Sequence, residues 1–175
     1  MYTMDYEVQL EFLKKDGGRI TSQPIKGTAR RGMSSSEDAS LRETLSANMK
    51  DRSENVMIVD LVRNDLSKTC RNVKVDELFG IYTFNHWHQM ISTVSGEMRD
   101  GFHPVEVIKT CFPMGSMTGA PKIRAMELIE QYEKTKRGLY SGAVGYLSPE
   151  GDFDFNVVIR SIFYNASSRY LSFQT

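Results

Sequence analysis

Three groupings of residues in this 175-residue chain have the types and spacing to do chemistry. The first is Gly115-Ser116-Met117-Thr118-Gly119, followed by a helix predicted to open at Pro121, where a proline's missing N–H costs nothing. Free backbone amides, two hydroxyls and a helix N-terminus would converge there, which suits an anion; a plain tight turn is the competing reading. It is not a nucleotide-binding P-loop, which needs four residues between its glycines and then Gly-Lys-Ser/Thr; three lie between Gly115 and Gly119, and Ala-Pro-Lys-Ile follows. The second grouping is Lys26, between Ile25 and Gly27 and just after Pro24. A lysine at a strand end can serve as a nucleophile where its surroundings favour the free amine, and an exposed surface lysine fits the same residues. The third is Asp51 with Glu54, three apart on one helix face. The two could share a divalent cation, or Asp51 could be an N-cap with Glu54 reaching back from N3 in a capping box.

Other candidates are less pointed. His86 and His88 alternate on a predicted strand, and neither has an evident carboxylate or serine partner in sequence. Arg160 is predicted inside a strand with Asn156 and Val158 on its face, where a salt-bridged structural arginine is the competing reading.

The elements that must position these groups are readable from periodicity and turn residues. Residues 6–15 and 20–25 form a predicted hairpin across Asp16-Gly17-Gly18. Residues 26–32 read as a basic loop, and Ser34–Ser36 with Glu37 and Asp38 as the start of a polar helix over 37–49. Residues 51–66 read as a second helix, apolar around most of its circumference, so that Asp60, Arg63, Asn64 and Asp65 would need partners in an ion network. Two short strands, 73–78 and 81–85, are expected around Gly80, then a strand over 89–98 and a short helix over 105–111. The helix after Pro121 shows a core-facing stripe of Ala125, Leu128, Ile129 and Tyr132 and is expected to stop at Lys136-Arg137-Gly138. Residues 139–147, 153–164 and 170–173 complete an antiparallel meander. A sheet ending at Thr175 would leave an open apolar edge, which points to a fragment.

Lys+Arg and Asp+Glu stand at 22 each, so bulk charge draws the chain to neither nucleic acid nor a membrane. Cys70 and Cys111 lie far apart without metal-ligand spacing, as expected of reduced thiols. With no signal-peptide pattern and no apolar run near 18 residues, a soluble cytoplasmic domain is expected.

The stretches QPIKGTARRG, ENVMIVDLVRNDL, PMGSMTGAPKIRAMELIE, RGLYSGAVGYLSPEGDFDFNVVIR and YLSFQT together resemble the chorismate-utilising enzymes, in the family's order over residues 12–175. The resemblance implies an α+β fold, a fragment of the family's layered antiparallel-sheet chorismate-binding domain with flanking helices. Lysine in PIKGT resembles the branch that forms 4-amino-4-deoxychorismate, on the path to p-aminobenzoate and folate; the anthranilate-forming branch typically carries alanine there. By motif, Lys26 resembles the lysine that attacks C2 of chorismate with loss of the C4 hydroxyl, before ammonia from a glutamine amidotransferase subunit enters at C4. Glu54 falls on a Mg²⁺ ligand and Asp51 on an acidic position supporting that metal. Ser116 and Gly119 match positions that contact chorismate, and Tyr140 and Arg160 match residues that hold its carboxylates. A dicarboxylate suits an arginine and a helix N-terminus.

Three departures stand out. The family's catalytic histidine falls on Gln89, with His88 one residue earlier and expected to point the other way. An amide can hydrogen-bond but cannot transfer a proton as imidazole does. The glutamate of the family's Ser-Pro-Glu falls on Leu10, with Glu11 again one residue off. The family's chain is more than twice as long, and its second pair of metal-binding glutamates has no counterpart here. The resemblance therefore implies that this chain does not turn over alone; an anthranilate-forming relative and a non-catalytic binding remnant are the alternatives.

Overall fold

The computed structural model describes residues 11–173. Residues 6–10 of the first predicted strand, Leu10 and the final Gln174-Thr175 lie outside the described residues. The predicted hairpin is β1 (Glu11–Asp16) and β2 (Arg19–Ser22), paired antiparallel through Gly17, whose φ of 56° supplies the turn. Chain order continues through β3 (Ile25–Arg30), α1 (Ser35–Ala47), α2 (Met49–Ser67), β4 (Cys70–Thr83), β5 (Trp87–Met98) and α3 (Pro104–Cys111). It closes with α4 (Lys122–Tyr132), β6 (Ala143–Leu147), β7 (Phe153–Val157), β8 (Ile162–Asn165) and β9 (Tyr170–Phe173).

The main sheet is antiparallel and organised on β5. One edge of β5 takes β4 along its length; the other takes β2 and then β3 end to end. The interruption between β2 and β3 falls at Pro24, which has no N–H to give but accepts the Ser92 N–H on its carbonyl at 3.1 Å. Outward from β2 the order runs β1, β7, β6. Leu13, Ile20, Val94 and Phe153 of the strands pack with Val59 and Leu66 of α2 and Val107 and Cys111 of α3, so the core lies between one sheet face and those helices.

The mixed helix-and-antiparallel-sheet architecture matches expectation, and several elements correct it. Residues 26–30 are strand rather than loop. Residues 70–83 are one long strand rather than two, carried past Gly80 by register shifts and a φ of 60° at Phe79; a Cβ at Gly80 would lie 2.5 Å from the Glu77 carboxyl. Helix α2 is less enclosed than its composition suggests, since Val56 and Met57 are exposed. Pro121 is the N-cap of α4, and that helix ends at Tyr132, short of Lys136. Its stripe does not face a core: none of its residues is buried, and Tyr132 is 71% exposed. The meander breaks after β7, because β8 and β9 pair only with each other. Arg160 lies in that break with a φ of 49°, exposed and outside any strand, and among the described residues it forms no ion pair. The salt-bridged reading of Arg160 fails with it.

Candidate active site

The first turn of α2 builds one side of the site. Asn48 is its N-cap, its side chain accepting from the N–H groups of Lys50 and Asp51 at 3.0 and 3.2 Å. Asp51 therefore sits inside the helix, and the capping-box alternative for Asp51 and Glu54 is set aside. Strand β3 runs against this turn because Gly27, at a φ of 95°, has no side chain; a Cβ there would stand 3.0 Å from the Asp51 Cβ. That approach delivers Lys26, whose Nζ lies 3.9 Å from Glu54 Oε2, with Lys50 Nζ 3.9 Å from Oε1. Lys26 is 31% exposed and Glu54 41%, so this is a loose pair that a ligand can rearrange. Lys26, Asp51 and Glu54 are thus gathered at one place. Among the described residues no group of three or more metal-ligating side chains forms.

The glycine-rich run builds another side. It leaves α3, makes a single 3₁₀ turn over Gly115–Met117 and leads to α4. Gly115 presses on α2, since a Cβ at this position would be 2.9 Å from Leu61 Cδ1. Of the two hydroxyls, Thr118 Oγ1 donates to the Met114 carbonyl at 3.0 Å, whereas Ser116 makes no such bond among the described residues. Gly119 keeps a φ of 148°, a glycine conformation that lets the chain turn into α4. Lys122, the first residue of α4, is 14% exposed and donates to Asp65 Oδ2 and to the Cys111 carbonyl. Asp65 is 9% exposed and also accepts from Lys68 at 3.0 Å. The Asp65 member of the expected ion network is thus real, and it joins RNDL to GAPK. Burial, with Asp65 nearby, pushes the Cys111 thiol up to about 12.

Tyr140 follows a turn in which its N–H donates to the Arg137 carbonyl at 3.1 Å. Next to it, Ser141 takes a φ of 66° and donates its N–H to the Val158 carbonyl at 2.9 Å, two residues before Arg160. No hydrogen bond or ion pair joins the Lys26 group to the Ser116 loop or Tyr140 among the described residues. A partly open cavity of about 40 Å³ does reach from Ile25, beside Lys26, to Gly115 and Ser116.

Two residues that sequence reasoning left aside border this region. Glu11 lines the cavity with one carboxylate oxygen buried and without a hydrogen bond; burial foremost, then Asp154, raises its pKa, against Lys14. A register shift between Glu11 and Leu13 opens the pairing of β1 with β7. Gln89 is buried with its Oε1 lacking a hydrogen bond. His88 is committed elsewhere: its Nε2 lies 3.0 Å from Asp38 and its Nδ1 2.9 Å from Thr83 Oγ1. Arg31 forks onto Asp38 at 2.8 and 3.0 Å and holds that carboxyl well below the usual range. His88 is a structural clasp between β5 and α1, through a carboxylate partner that the sequence did not make evident.

An antiparallel sheet backed by helices thus carries a lysine and two carboxylates at the N-terminal end of α2 and a glycine loop against the same helix, an arrangement with the donors and acceptors a small acid would use. The match to known proteins makes this specific: the model of the chorismate binding enzyme family covers residues 11–174, and the chain belongs to that family. It is 42% identical over 161 residues to aminodeoxychorismate synthase component 1 of Bacillus subtilis, covering 91% of this chain and 34% of that protein. It is 45% identical over 156 residues to anthranilate synthase component 1 of Mycolicibacterium smegmatis, covering 88% of this chain and 30% of that one. The anthranilate synthase component I structure from Streptococcus pneumoniae superposes with a TM-score of 0.77 at 33% identity, over 87% of this chain and 33% of that one. The chain thus spans about a third of the length of these relatives. No helix among the described residues is long and apolar enough to cross a membrane.

Proposed function

We propose that this chain is a chorismate-binding portion of an enzyme that forms 4-amino-4-deoxychorismate, working with ammonia from a glutamine amidotransferase subunit in the cytoplasm. The observation that carries the reading is Lys26 lying beside Glu54 near the N-terminal end of α2. The Lys26 amine attacks C2 of chorismate; both double bonds of the ring diene shift, toward C6 and then C4, and the C4 hydroxyl leaves as water with the amine's proton. Ammonia then adds at C4 as the bond between Lys26 and C2 breaks, which returns the free lysine. Glu54 and Asp51 offer hard oxygen donors of the kind Mg²⁺ uses, one or two carboxylates completed by water and substrate. Mg²⁺ held there would neutralise a substrate carboxylate and assist loss of the hydroxyl. Ser116, Gly119 and Tyr140 line the substrate, and Arg160, without an ion pair of its own, is available to a carboxylate.

The second reading is formation of anthranilate, favoured by the equally similar anthranilate synthase relatives. Calorimetric titration with chorismate in the presence of Mg²⁺ tests the proposal. Binding is expected without turnover when ammonium is added, weakened at least about tenfold by Arg160→Met. Mass spectrometry should find Lys26 carrying chorismate less one water, an adduct missing from Lys26→Ala. Absence of chorismate binding, or accumulation of anthranilate, sinks the reading.

A further inference from the structure

Arg137 was expected only to help stop a helix, yet α4 ends at Tyr132. What Arg137 does is join two stretches of the candidate pocket. Its Nε and Nη2 donate to the two carboxylate oxygens of Glu133 at 2.9 and 2.5 Å. Its Nη1 donates to the Met117 carbonyl at 2.7 Å and to Ser141 Oγ at 3.2 Å. Met117 follows Ser116 in the glycine loop, and Ser141 follows Tyr140. Ser141 is itself buried, in a left-handed conformation and bonded to Val158, so one end of this strut is anchored in the sheet. The Arg137 side chain is only 25% exposed, and no single-point cation replaces a planar fork engaged on four acceptors.

We propose that Arg137 is a positioning residue: braced by Glu133, it sets the spacing between Ser116 and Tyr140 and so the shape of the wall that receives the dicarboxylate. This rests on the chorismate reading above. A surface ion pair that merely added stability would touch neither the loop carbonyl nor Ser141.

The test uses the full chain with Arg137→Met, Arg137→Lys and a control, Arg124→Met, which removes an exposed pair with Glu127 on α4. Hydrogen exchange without ligand should quicken about tenfold or more over residues 115–119 and 139–142 in both Arg137 variants, with residues 87–98 and the control unchanged. Chorismate affinity should fall about tenfold in both, at an unaltered thermal midpoint. Exchange within twofold of the unmodified chain overturns the proposal, as does a uniform increase reaching β5 or full recovery by lysine. If the unmodified chain binds no chorismate, the chorismate reading falls, and the exchange pattern alone decides whether Arg137 is the strut.

Discussion

Helices α2 and α4 both present an apolar stripe flanked by charge, and they are held in opposite ways. Helix α2 buries Ile58, Val59 and Leu66 in the core beneath β5. Helix α4 buries nothing; Ile123 is 75% exposed, and among the described residues the helix is tied to the body at its first residue, where Lys122 donates to Asp65 and to the Cys111 carbonyl. One helix is fixed by packing and the other by a charge. An amphipathic stripe states which face demands cover, not that cover is present.

Breaking the ties one at a time sharpens that contrast. The largest effect is expected from Lys122→Met, which strands a mostly buried carboxylate and should cost about 3 kcal/mol, at the low end for such pairs because Lys68 stays on Asp65. Exchange should show residues 122–132 loosening well before the sheet does. Leu66→Ala leaves a cavity where no surface is exposed and should cost about 2–3 kcal/mol in urea unfolding, lost globally rather than from one helix. Acid separates packing from charge again, with two signs. Asp152 is held below its usual pKa foremost by the Lys15 hydrogen bond, so its contribution is present above about pH 4 and is lost as pH falls through the depressed value. Asp152→Asn should therefore lower the thermal midpoint at neutral pH and matter little in acid. Glu11 is raised by burial, so its ionisation opposes folding as pH rises; Glu11→Gln should raise the midpoint at neutral pH and lose that advantage below about pH 4. The smallest effect belongs to α4 itself: Ile123→Ser should shift stability by no more than about 0.5 kcal/mol. A loss near that of Leu66→Ala would show that the stripe of α4 is covered after all.

Much of the fold was legible because its signals are local. The Asp16-Gly17-Gly18 turn and the Ser34 cap each depend on residues a few positions apart. What sequence reading missed needed a partner distant in the chain. Asn48 rather than Asp51 caps α2, and Gly27, more than twenty residues earlier, passes close against Asp51. Strand β4 continues past Gly80 because β5 pairs with it on both sides of the irregularity. The predicted meander runs on through Arg160, but β7 ends at Val157 and Arg160 stands at a positive φ in the break. In the candidate site, Lys26 and Glu54 were each identifiable by type, but their meeting is tertiary. Glu11 stands one residue from the family's glutamate position, and its place on the cavity wall depends on residues distant in the chain. Arg137 was assigned by composition to a helix end, while its partners at 117 and 141 lie on either side of it in sequence and close in space.

Strand β6 forms the outer edge of the main sheet, and its five residues, Ala-Val-Gly-Tyr-Leu, carry no charge. Val144 and Tyr146 are well exposed, so a row of unpaired amides lies beside apolar side chains. For anyone handling the protein this is a matter of solubility: concentrated or warmed samples should associate through that edge. A lysine at Val144, across from Asn156, is the natural gatekeeper to introduce for keeping the chain monodisperse.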